Sequence, residues 1–114
     1  MEIKNVIKTI DQLSDLNDSP AVDAIFEILM SSNNKLVKKI ALPAIKRMDA
    51  NMVLESMEHR LEDPKEETRH QAIEVIGWFG SNNREAVRLL TIAREEDQSR
   101  KNRGFANSYL IQGP

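Results

Sequence analysis

Apolar residues recur at helical spacing in seven stretches of this chain, with short polar turns rich in Ser, Asn and Asp between them. No run alternates between apolar and polar as a half-buried strand would. The first stretch places Ile3, Val6, Ile7, Ile10 and Leu13 on one stripe, with Lys4, Lys8, Asp11 and Asp15 off it, and predicts a helix ending near Leu16. Ser19 before Pro20 predicts the next start, because a serine oxygen can cap free amides and proline at the first helical position gives up no hydrogen bond. That helix runs from about Pro20 to Ser31. Asn33 or Asn34 caps a third helix with Val37, Ile40, Ala41, Ala44, Ile45 and Met48 on one face, and Pro43 inside it should bend it. Asp49 opens a fourth with Val53, Leu54, Met57 and Leu61. Asp63-Pro64 with Glu66 forms a capping-box-like start for a fifth, which Gly77 and Gly80 weaken at its end. Ser81 to Asn83 opens a sixth helix carrying Ala86, Val87, Leu90 and Ala93, and Ser99 opens a seventh.

Internal repetition distinguishes a solenoid from a simple bundle. The third, fifth and seventh helices, aligned with the turns before them, read Ser32…Lys38…Ala41…Ile45, Asp63…Arg69…Ala72…Ile76 and Asp97…Arg103…Ala106…Leu110. The spacing is the same in all three copies, at offsets of 31 and then 34 residues. The preceding helices align through Val22, Val53 and Val87, so each unit is a helical hairpin. A turn acid can accept from free amides at the next helix start, and can pair with the basic residue six positions on, in its own or the neighbouring unit. Alanine three residues later keeps the helix thin where hairpins meet, and the aliphatic residue four beyond it fills the layer between them. Such units bury their apolar faces only by stacking. The expectation is an all-α, right-handed α-α superhelix of about seven helices. Val37, Ala41, Ile45, Leu61, Ala72, Ile76, Val87, Leu90, Ala106 and Leu110 should be buried in it.

The segment Leu61-Glu62-Asp63-Pro64-Lys65-Glu66-Glu67-Thr68-Arg69, followed by Ala72 and Ile76-Gly77-Trp78-Phe79-Gly80, resembles a HEAT repeat. The type it is most similar to is that of the phycobilisome-lyase-like HEAT proteins, a class of armadillo-like α-solenoid. The resemblance implies one domain over residues 1–114: a capping helix at 1–16 and repeats at 17–48, 49–80 and 81–114. The middle repeat fits best. The first departs at Ser32 and Lys38, and the third carries Asn102 where valine is usual. By the same resemblance the protein is a non-catalytic scaffold or adaptor that binds a protein partner. The alternatives are an accessory subunit of a chromophore-lyase-like or other protein-modifying complex and, with less support, a nucleic-acid-binding HEAT-like module.

Composition narrows the chemistry. The chain has no cysteine, so disulfides, thiolate metal sites and a cysteine nucleophile are excluded and a reducing cytoplasm is the expected setting. The net charge of −2 offers no general attraction for nucleic acid. The basic cluster Arg84, Arg88, Arg94, Arg100, Lys101 and Arg103 is interleaved with Glu85, Glu95, Glu96 and Asp97, which reads as an ion-paired helix surface. No apolar run approaches a membrane span, and no membrane association is expected. Deoxyhypusine hydroxylases, which resemble this architecture, bind iron through His-Glu dipeptides. This chain has Glu58-His59 and Arg69-His70 instead, and both histidines read as exposed on polar faces. Glu58 with Glu62, or Glu66 with Glu67, reads as solvated or helix-start acid rather than an acid–base pair. No catalytic residue, cofactor or metal is expected.

In such a stack the second helix of each hairpin lines the concave side. Its outward positions here are Lys39, Pro43, Lys46 and Arg47; then His70, Glu74, Gly77 and Trp78; then Gly104, Ser108 and Ile111. Lys39, His70, Glu74 and Trp78 are the candidate partner-binding residues, expected to form one patch. Trp78 has two readings, a binding anchor or a residue packed against the next repeat. The last helix keeps Phe105, Tyr109, Leu110 and Ile111 with no unit after it. Either it packs back on the stack, or a partner, a second copy in a homodimer, or more of a longer chain covers it.

Overall fold

The computed structural model describes residues 2–112, among which there are seven helices and no strand. They are α1 (Ile3–Leu16), α2 (Ser19–Ser31), α3 (Lys35–Lys46), α4 (Ala50–Arg60), α5 (Glu66–Phe79), α6 (Arg84–Glu96) and α7 (Arg100–Ile111). Met1, Gly113 and Pro114, which the expected boundaries include, lie outside the described residues. The chain divides into two compact units, Met1–Ser56 and Met57–Pro114.

In the first unit α1 packs on α2 and α3, and α2 on α3. The expected stripe of α1 faces inward, but only Ile10 is fully buried, with Ile3, Val6, Ile7 and Leu13 half-buried. α2 begins at Ser19 rather than Pro20 because Asp18 supplies the cap, its carboxylate accepting from the Ala21 amide at 2.9 Å. α3 starts after Asn34, whose side-chain oxygen accepts from the Leu36 amide, and it extends only three residues beyond Pro43. Asp49 caps α4 through the Met52 amide at 2.9 Å, while the Asn17 side chain accepts from the Asp49 amide. Phe26, Ile25, Val22, Ile45 and Leu54 fill the core of this unit.

In the second unit α5, α6 and α7 pack against one another. Its core is Met57, Ala72, Ile73, Ile76, Leu89, Leu90 and Ala106. α5 starts at Glu66, two residues later than the capping-box reading, because the Asp63 carboxylate accepts from the Lys65 amide at 2.8 Å and closes the turn instead. Asn83 caps α6 and Ser99 caps α7. Gly80, with φ 75°, ends α5 in a conformation that a residue with a Cβ adopts at a cost.

The repeat is visible atom by atom in the turns. Ser32, Asp63 and Asp97 each accept from the amide two residues on, at 3.1, 2.8 and 2.8 Å. Arg69 and Arg103 each reach back six residues to a turn carbonyl, Asp63 O at 2.9 Å and Asp97 O at 2.6 Å. Arg69 also donates to Pro64 O and pairs with the Asp97 carboxylate at 3.1 Å, with side chains only 8% and 3% exposed. The expected pairing of a turn acid with a basic residue of a neighbouring unit is therefore present between Asp97 and Arg69, and it is buried.

Seven of the ten expected core residues are buried. Leu61, Val87 and Leu110 are half-buried instead. Leu61 follows the last residue of α4 and opens onto a surface trough, and Leu110 sits in the last turn of the final helix.

Candidate functional site

On α5 a broad arc is buried, comprising Thr68, Arg69, Ala72, Ile73, Val75, Ile76 and Gly77. The opposite stripe holds Glu67, His70, Gln71, Glu74 and Trp78, which recur at i, i+3, i+4, i+7 and i+11 and so share one helix face. Three of the four candidate binding residues are on this stripe. Lys39, the fourth, is exposed on α3 in the first unit.

α7 lays Asn102, Phe105 and Tyr109 against this part of α5. The His70 ring stacks on Phe105 with centroids 4.1 Å apart and planes 14° apart, and Tyr109 meets Phe105 edge-on at 5.1 Å. His70 Nδ1 lies 2.9 Å from Oδ1 of the fully buried Asn102, whose Nδ2 donates to Glu66 O at 3.3 Å. Because the Asn102 amide nitrogen is committed to Glu66, its oxygen must accept, which puts the proton on His70 Nδ1. His70 is thus half-buried and pinned by two contacts with α7, not free on a polar face as the sequence suggested. His59 is exposed. Asn102, which looked like a flaw in the third repeat, is the residue that ties the two helices together.

Gly77 is buried, a correction to its expected outward place. A Cβ built there would meet the Tyr109 ring at 2.5 Å, so the glycine is the recess in which that ring lies. Phe105 and Tyr109 therefore pack back on α5. Leu110 stays half-buried and Ile111 is 73% exposed. Gln71 donates to Glu74 at 2.9 Å and holds its carboxylate on the surface stripe. Trp78 is half-buried, with part of its indole open to solvent.

Burial, reinforced by the nearby Glu74 carboxylate, pushes the Tyr109 phenol up to about 12. As Tyr109 is the only tyrosine, its ionisation can be followed by tyrosinate absorbance alone. The sign follows from linkage: above pH 10 the unfolded chain loses this proton while the folded chain keeps it, so stability falls as pH rises from about 10 to 12. The absorbance midpoint of the folded protein should lie near 12 and return to the ordinary phenol value in urea. A native midpoint at 10 would mean that the ring is not seated on Gly77.

On the other face of this unit Arg88 pairs with Glu58 and Glu85, contacts that raise the guanidinium pKa and hold the Glu85 carboxyl below its usual range. Arg94 pairs with Glu95, so among the described residues the ion-paired surface read from the charge interleaving is present at Arg88 and Arg94 but not at Glu96. Among the described residues no group of three or more His, Asp or Glu side chains is placed to hold a metal. No helix among them is long and apolar enough to cross a membrane.

Sequence reasoning did not name Phe105, Tyr109, Asn102 or Gln71 as part of this face. The available signal was Gly77 in the last turn of α5, a glycine inside a helix that marks a place where another element comes close.

Paired helices, a side-chain-capped turn repeated three times and an arginine linking consecutive turns define a helical-hairpin repeat protein. A family model for HEAT repeats matches residues 22–108, and the chain belongs to that family. Comparison with curated proteins and with solved structures finds no match to either.

Proposed function

We propose that the protein is a non-catalytic interaction scaffold or adaptor whose partner is another protein. HEAT repeats commonly act as protein–protein interaction scaffolds, and the family is generally non-enzymatic. The observation that carries the reading is the α5–α7 face. Its His70–Phe105–Tyr109 row is fixed by stacking and hydrogen bonding, and it lies with Glu74 and a half-open Trp78. A rigid aromatic surface with a carboxylate beside it offers contact area at little entropic cost, as binding hot spots do. Glu74 and Trp78 are the direct contacts in this reading, and His70 positions the row. Lys39, on the first unit, is a further contact in the same reading.

The finer assignments belong to the same proposal. Ile76-Gly77-Trp78-Phe79-Gly80 supports the phycobilisome-lyase-like type, and the absence of cysteine supports a cytoplasmic setting.

Affinity purification with the parent chain, followed by titration of the partner it retains, tests the proposal. Trp78→Ala and Glu74→Lys should each weaken that binding at least about tenfold while leaving the helical circular dichroism unchanged. Lys39→Glu should weaken it independently. Parent-like affinity in both the Trp78 and Glu74 variants would refute this face.

A further inference from the structure

The second unit carries another surface feature, a trough of about 420 Å³. α4 and the turn after it contribute Glu58, Leu61 and Glu62. α6 contributes Leu89, Ile92, Ala93 and Glu96, and Asp97 follows. The α6 residues recur at i, i+3, i+4 and i+7, so one face of that helix forms a wall. The floor is apolar: Leu89 and Ala93 are buried, while Leu61 and Ile92 are half-open into the trough. Every polar residue lining it is a carboxylate.

These four acids differ in what they already hold. Asp97 is committed to Arg69, and Glu58 is paired with Arg88. Glu62 and Glu96 are exposed and form no ion pair among the described residues. An apolar floor with unsatisfied negative charge along its edges asks for an occupant with the reverse pattern, apolar in the middle and cationic at the sides.

We propose that this trough docks a basic amphipathic helix of a partner protein. Its apolar side chains, spaced at i, i+3 or i+4, enter between Leu61 and Ile92, and its lysines or arginines reach Glu62 and Glu96. The surface is distinct from the α5–α7 face, and each can fail without the other. Charge complementarity selects the occupant, since a second copy would bring its own carboxylates.

The test uses three synthetic helical peptides against the whole chain, measured by fluorescence anisotropy at low and physiological salt. One carries leucine on one face and lysine on its flanks, one has glutamate for each lysine, and one has serine for each leucine. The leucine–lysine peptide should bind, more weakly at higher salt, and the other two should not. Glu62→Lys with Glu96→Lys should weaken it roughly tenfold or more. The equally charged control Glu2→Lys with Asp15→Lys, both exposed on the first unit, should bind like the parent. If the double lysine variant fails to fold, Glu62→Gln with Glu96→Gln should still weaken binding. Equal binding of the leucine–glutamate or serine–lysine peptide, an unaffected trough variant, or equal loss in the control overturns the proposal. So does a dimer in analytical ultracentrifugation that the trough variant abolishes, because the occupant is then a second copy.

Discussion

Arg69→Ala should lower the unfolding free energy by about 3–5 kcal/mol, a large part of the roughly 5–15 kcal/mol that holds a domain folded. The magnitude follows from burial. The Arg69 and Asp97 side chains are only 8% and 3% exposed, so removing the guanidinium leaves a nearly buried carboxylate without its counter-charge and with the Ser99 amide as its remaining donor. The same change leaves the carbonyls of Asp63 and Pro64 without their donor, and both close the turn before α5. Lysine cannot substitute, because one ammonium group cannot reproduce the fork that meets two carbonyls and a carboxylate. Asp97→Ala should cost a similar amount from the other side, adding the loss of its bond to the Ser99 amide. Arg103→Ala is the contrast. Arg103 is half-buried and has one turn carbonyl as its recorded partner, so about 1 kcal/mol is expected. Urea unfolding followed by circular dichroism separates the cases. A loss under 1 kcal/mol for Arg69→Ala would show that the pair behaves as a surface ion pair.

The contrast between Arg69 and Arg103 shows which part of the architecture can be read from sequence. Turn capping is local: the oxygen of Ser32, Asp63 or Asp97 meets an amide two residues away, so spacing alone reveals it. The six-residue reach of both arginines repeats for the same reason. Burial is not local. Arg69 meets the Asp97 carboxylate of the next turn, whereas Arg103 has no carboxylate partner among the described residues, though the two occupy the same position in their repeats. The start of α5 was misread because one carboxylate can serve either as a helix cap or as a turn closure, and Asp63 does the second. On the candidate face, Glu74 and Trp78 were legible because helical periodicity separates the stripes of α5. Phe105 and Tyr109 were not. Their periodicity makes them apolar residues of a last helix, and nothing local says whether α5 or another molecule covers them.

Gly77 supplies the answer that periodicity withheld, and it leads to the second large effect. Gly77→Val should destabilise the protein by roughly 1–3 kcal/mol, because even the first carbon of a side chain would stand 2.5–2.6 Å from three atoms of the Tyr109 ring. The ring cannot yield freely, since it also packs edge-on against Phe105, which stacks on His70. Pushing it out therefore loosens the whole row, and the Tyr109 absorbance midpoint should fall from near 12 toward 10 in the same variant. The decisive measurement is a double-mutant cycle. With Tyr109→Ala already in place the recess is empty, and Gly77→Ala should then stabilise α5 by up to about 1 kcal/mol, the ordinary gain of alanine over glycine in a helix. In the parent background the same Gly77→Ala change should be destabilising. A sign that does not reverse between the two backgrounds would mean that the glycine serves the backbone of α5 and not the seating of Tyr109.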